Sequence, residues 1–327
     1  MRIPIIRGVI DRRILANYRV DPQVLRRVVP APFRPKLAHG HGIAGICLIR
    51  LRNVRPRWWP LPLGIGSENA AHRIAVEWDE NGQTKEGVFI PRRDSNSRFN
   101  ALVGGRLFAG VQHHAKFDVR ETGGHYHIAL RSDDGHVRVC VEGSETDALP
   151  ADSIFASLPE VSAFFERGSL GYSVTRTPGT FDGMRLHSFT WALTPLKIER
   201  IESSYFDDAA TFPPGSVTFD NALLMRQVEH EWHGQATLCA ACACIAGDGR
   251  HRHSASSNRT TFDTAGTGFF RQLSPGGGAV KSRRRIVTPT GLRPSPGFIS
   301  RQRSTKVCAY RRCIGSWYVP VRSCVTR

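Results

Sequence analysis

Residues 110–117, GVQHHAKF, place two imidazoles and an amine within four positions: His113, His114 and Lys116. An imidazole can give or take a proton near neutral pH, and an amine can form a Schiff base with a carbonyl. Read as a strand, the segment alternates. His113, Ala115, Phe117 and Val119 share an apolar side, and His114, Lys116 and Asp118 a polar one. The segment AHRIAVEWD does the same, with His72, Ile74, Val76 and Trp78 opposed to Arg73, Ala75 and Glu77. In GVFIPRR, Val88, Ile90 and Arg92 form one set and Phe89, Pro91 and Arg93 the other, so one arginine of the pair points inward either way. Glu68 and Asn69, ahead of a strand, are placed for a pocket mouth.

Interior histidine and arginine favour an anionic or carbonyl-bearing ligand through charge-assisted hydrogen bonds. The chemistry they support is cofactor-free acid–base work on an organic acid, such as hydration, enolisation or aldol cleavage by a lyase- or hydratase-like enzyme. They support binding without turnover equally well. A structural reading stands beside each: hydrogen-bonded core histidines at 72 and 113, a salt-bridged pair at Arg92 and Arg93, a turn cap at Glu68.

A second constellation is EHEWHGQATLCAACACIAG, with His230, His233, Cys239, Cys242 and Cys244. Zinc wants four converging N or S ligands. VEHEWH reads as strand, however, with Val228, His230 and Trp232 on one side and His233 on the other. That geometry fits no finger or ribbon, so no metal site is assigned and no cofactor is expected. Cys47 and Cys140 sit in apolar and β-like runs, as small hydrophobes do.

The same stretch marks a change in the chain. Of 327 residues with net charge +17, the part from Cys239 to Arg327 carries 16 Lys and Arg against 2 acidic residues. It also holds six of the eight cysteines and shows no apolar periodicity. Three readings compete for it: a disordered basic tail, a nucleic-acid-binding arm centred on SRRR at 282–285, and an out-of-frame translation of GC-rich DNA. Residues 1–238 are nearly charge-balanced, which argues against nucleic acid as their partner. The sequence is therefore read as a domain over 1–238 followed by a tail over 239–327. It shows no signal-peptide pattern and no apolar run of membrane length, and it reads as cytoplasmic.

The elements that must position these residues are mostly strands. IPIIRGVIDRRILANYRV, GIAGICLIRLRNV, AHRIAVEWD and KEGVFIPRR are β-rich, the last two joined by the hairpin signal ENGQT. HHAKFDVRE, HYHIALRSDDG and HVRVCVEGS follow as strands, with a turn at Asp134-Gly135, and MRLHSFTWALTPLKIERI and SVTFDNALLMRQVEHEW complete the set. Helices are predicted at DPQVLRRVVP, capped by Asp21, at SRFNALVGGRLF (97–108), and at SLPEVSAFFERG, capped by Ser157 and stopped by Gly168. Trp58-Trp59 reads as a packing cluster or plug. The expected class is α+β, mostly β: an antiparallel sheet closed as a barrel, with a few flanking helices.

YRVDPQVLRRVVPAPFRP, GSENAAHRIAV, EGVFIPRRDSNSRFNALVGGRLFAGVQHHAKFDV, FFERGSLGYSV and LHSFTWALTPL, in this order, resemble the DUF2071 family over roughly residues 5–235. The resemblance implies the acetoacetate-decarboxylase-like superfamily: a cone-shaped antiparallel β-barrel around a buried pocket. The decarboxylases of that superfamily use a pocket lysine as a Schiff base. Here His113 and His114 stand about where its lysine pair would, and Lys116 is displaced along the strand. That departure favours a ligand-binding barrel without imine formation. A Schiff-base decarboxylase is the alternative, and nucleic-acid binding through the tail a second one.

Overall fold

A computed structural model of the chain describes residues 4–61, 63–98 and 109–240. The helix predicted over 97–108 falls largely outside the described residues, as does all of 241–327.

The strands are β1 (Ile6–Val20), β2 (Arg34–Pro35), β3 (Leu37–Ala38), β4 (His41–Pro56), β5 (Ile65–Glu80), β6 (Gln83–Ser95), β7 (His113–Thr122) and β8 (His125–Ser132). They continue as β9 (Arg138–Glu145), β10 (Leu170–Val174), β11 (Thr180–Ser188), β12 (Thr194–Ser203), β13 (Val217–Gly234) and β14 (Leu238–Cys239). Two helices lie among the described residues, α1 (Pro22–Val28) and α2 (Leu158–Arg167). Each starts where its cap predicts. The Asp21 carboxylate accepts from Gln23 N, and Ser157 Oγ accepts from Glu160 N while the Glu160 carboxylate accepts from Ala156 N, a reciprocal cap. The β5–β6 hairpin turns at Asn81-Gly82, both at positive φ, as a two-residue loop of this hand requires.

All fourteen strands join one sheet whose pairing returns on itself. One ring runs β6, β7, β8, β9, β12, β13, β1, β4, β5 and back to β6. A second runs through β11, β10, β6, β5, β4, β1 and β13. Most pairs are antiparallel, but β6 pairs in parallel with both β7 and β10, which alternation in sequence could not reveal.

The middles of β1, β4 and β5, strands common to both rings, are buried on both faces. On β1, Ile14, Ala16 and Tyr18 join one core with Ile46, Ile74, Ile128 and Leu224. Leu15 joins another with Ile43, Cys47, Ala75 and Ile90, closed by Val161, Phe164 and Phe165 of α2. Trp58 and Trp59 differ from expectation. They lie in the Pro-rich β4–β5 connection and are exposed, at 72% and 40%, because no strand carries them into the core.

Candidate anion site

Two consecutive arginines on β1 show how the two faces differ. Arg12 is fully buried on the face of Ile14, and its guanidinium donates to both Glu68 and Glu121. Arg50 donates to Glu68 as well, so the four groups form a neutralised cluster. Arg13, on the opposite face, has only sulfur as a side-chain hydrogen-bond partner among the described residues: Nε lies 3.4 Å from Cys47 Sγ and Nη1 lies 3.9 Å from Met225 Sδ.

Arg13 and Cys47 line a cavity of about 140 Å³. Asn69 and Arg73 of β5 and Arg93 of β6 line it too. Its remaining wall is largely apolar, with Ile49, Ile90, Met184 and Trp232 among the contributors. Arg73 is almost completely buried. It donates one bond to Asn17 Oδ1, its guanidinium stacks 4.6 Å from the Phe165 ring, and its Nε has no partner. Arg93 Nε donates to Ser173 Oγ at 2.8 Å. Among the described residues no carboxylate pairs with any of these three arginines. Burial pushes Arg73 down to about 10, and the neighbouring Arg13 charge adds to this against an opposing influence of Cys47. Burial likewise pushes Arg93 down to about 10. Both stay charged at neutral pH. An apolar cavity of roughly 150 Å³ takes a benzene-sized guest, which sets the scale of an occupant here.

A bulge selects which arginine reaches the cavity. On β6, Phe89 pairs with Ile74 and Arg92 with His72, so Ile90 and Pro91 together face the single residue Arg73. Pro91 cannot donate to the ladder, and a bulge is where a strand tolerates it. The extra residue reverses the alternation. Arg93 therefore joins Val88 and Ile90 at the cavity, in place of Arg92, which sequence alternation groups with them.

Of the residues singled out from sequence, Asn69, Arg73 and Arg93 come together here. A second group forms beside them. Arg92 is bound by Asp94 and Asp134, and His113 Nδ1 lies 3.1 Å from Asp134. Burial opposes the Arg92 charge, but the two aspartates more than offset it and raise its pKa. The bond from Arg92 holds Asp134 below the usual carboxylate range. His113 is lowered by partial burial and by Arg92; it is 37% exposed at the side chain rather than interior. His114 pairs with Asp133, and Lys116 lines a separate, open groove with Asp118, Arg131 and Cys140. Glu68 lies within the Arg12 and Arg50 cluster. His72 is fully buried, 4.6 Å from the Tyr205 ring, with Nδ1 unpartnered; burial and Arg92 push it down to about 3. His230 is also buried, 4.5 Å from the Trp232 ring, whereas His233 pairs with Glu231, so the two do not converge. Sequence reasoning missed Arg13 and Cys47. The signal for Arg13 was present in the alternation of β1; Cys47, inside an apolar run, gave none.

A family model describing uncharacterised conserved proteins matches residues 10–222. The chain belongs to the DUF2071 family. The matched span contains Arg13, Cys47, Arg73 and Arg93. No curated protein matches the sequence. Similar solved structures include acetoacetate decarboxylase from Legionella pneumophila, 10% identical, covering 71% of this chain and 87% of that one at a TM-score of 0.47. An acetoacetate decarboxylase-like enzyme from Sphingomonas wittichii is 15% identical over 73% of this chain and 94% of that one, TM-score 0.46. The enduracididine biosynthesis enzyme MppR, solved with pyruvate, is 13% identical over 73% and 91%, TM-score 0.45. No described helix is long and apolar enough to cross a membrane.

Proposed function

We propose that this DUF2071 protein binds a small organic acid, its carboxylate held by Arg13, Arg73 and Arg93 and its apolar part by Ile49, Ile90, Met184 and Trp232. One observation carries the reading: the buried Arg73 and the half-buried Arg13 and Arg93 meet at one cavity without a carboxylate partner among the described residues. Burying a charge unpaired costs several kcal/mol in effective terms. A bound anion offsets that cost, and guanidinium forks fit a carboxylate bidentately. On this reading the two strand rings serve as the wall of a barrel, and the helix α2 presses Phe165 against Arg73 to fix its plane.

The site works without an imine. No lysine lines the cavity among the described residues, and Lys116 belongs to the other groove. Borohydride reduction of the full chain with a 2-oxo acid tests this. No stable mass increase is expected; a covalent adduct on Lys116 or any other lysine would establish the Schiff-base alternative. A native mass spectrum of the purified protein should in turn show an organic acid of about six to ten heavy atoms, absent from the Arg93→Met variant.

A further inference from the structure

We propose that Cys47 is the nucleophile of this cavity, acting on carboxylates whose carbon next to the carboxylate is electrophilic. The proposal rests on the reading of the cavity as an organic-anion site and names the chemistry that site can do. Cys47 is buried and lines the cavity, with Sγ 3.4 Å from Arg13 Nε. Arg73, 5% exposed, lines the same cavity with its Nε unsatisfied, so its buried charge stands at the cavity wall with no anionic partner among the described residues.

The geometry joins two requirements. The attacking species of a cysteine is the thiolate, which needs cationic neighbours; Arg13 supplies one, and no carboxylate competes for it among the described residues. A carboxylate held by the same guanidinium groups keeps its adjacent carbon within a bond or two of the sulfur, which is the proximity that turns an encounter into an intramolecular step. Cys140 offers the contrast. It lies by the open groove with Glu202, Asp118 and Asp207, and burial raises its pKa.

Iodoacetate and iodoacetamide test the proposal because they differ only in the carboxylate. With either, a sulfur–carbon bond forms, the carbon–iodine bond breaks, iodide leaves and the thiol proton passes to solvent. At an ordinary thiol the neutral amide reacts at least as fast, since a thiolate repels the acid. In the full chain, peptide mapping by mass spectrometry should show Cys47 modified by iodoacetate about tenfold faster than by iodoacetamide, the factor that one charge-assisted hydrogen bond supplies. Cys140 should show no such preference, and Arg93→Gln should remove it at Cys47. Equal or slower reaction of Cys47 with iodoacetate, or resistance to both reagents, overturns the proposal; the wild-type ratio decides this even where the variant fails to fold. Calorimetry with unreactive acids separates the two readings. Acids that bind while Cys47 shows no preference defeat the nucleophile alone, and acids that do not bind defeat the anion site as well.

Discussion

Arg92 and Arg93 are adjacent, chemically identical and opposite in energetic role. Arg92 neutralises Asp94, which is fully buried, and Asp134. Removing it strands a buried carboxylate, so Arg92→Met should cost about 3–5 kcal/mol of stability. Arg93 has a hydroxyl and no carboxylate. Replacing it removes a half-buried charge with no acidic partner among the described residues, so Arg93→Met should leave the ligand-free protein at least as stable while abolishing binding of organic acids. Chemical denaturation of both variants measures the contrast, and equal losses would contradict the assignment. The buried histidines give a second residue-scale test. His72 and His230 have folded pKa values pushed down to about 3 and about 4, against about 6.5 in an unfolded chain. Between those values the unfolded chain binds more protons, so their contribution is present above pH 6.5 and is lost as the pH falls towards 4. A His230→Phe variant should show a shallower decline of melting temperature over that window than the wild type; an unchanged slope would place the acid sensitivity elsewhere. Sequence made Arg73 legible because β5 alternates without interruption through it. It left Arg92 and Arg93 unresolved because the parity of β6 depends on a backbone irregularity.

At the scale of elements, that irregularity is the bulge of Ile90 and Pro91 against Arg73. It turns β6 by one position, and a one-residue slip exchanges the faces of every side chain beyond it. Deleting Pro91 removes the extra residue, so Val88, Ile90 and Arg93 become a plainly alternating set at the cavity and Arg92 stays opposite His72. The deletion variant should therefore keep acid binding and the pairing of Arg92 with Asp94 and Asp134. Loss of acid binding in a folded deletion variant would show that the bulge does more than set which arginine faces the cavity. The helices and most strand limits were legible because caps and apolar runs are local signals: Asp21, Ser157 and Gly168 mark α1 and α2 as read. The pairing of β6 with β7 and β10 was not, since a parallel partner far along the chain leaves no mark on the strand itself. His113 was misplaced for a related reason. It opens β7, where the strand emerges beside the Asp133–Asp134 turn, so its apolar parity does not carry it inside.

For the whole molecule, the net charge of +17 is a poor guide to the site. What matters at the cavity is which cations lack partners, and that depends on which carboxylates reach them: Glu68 of β5 with Arg12 of β1, Asp94 with Arg92 on β6 itself, and none for Arg13, Arg73 and Arg93 among the described residues. The boundary inferred at residue 238 falls inside β14, where Leu238 pairs with Phe181 and Ala240 N donates to Gly179 O. A chain ending at Ala240 keeps those bonds. It should melt as cooperatively as the full chain and bind the same acids; a broadened or much lower transition would show that residues 241–327 supply part of the core. The central claim, that three unpaired arginines make a carboxylate site, meets its most direct test in a calorimetric titration of the full chain with pairs of acids and their amides, from acetate and acetamide to benzoate and benzamide. At least one acid in the benzoate size range should bind saturably while its amide does not, with the heat absent from Arg73→Gln and Arg93→Met. Equal binding of acid and amide, or binding that survives both substitutions, would contradict it.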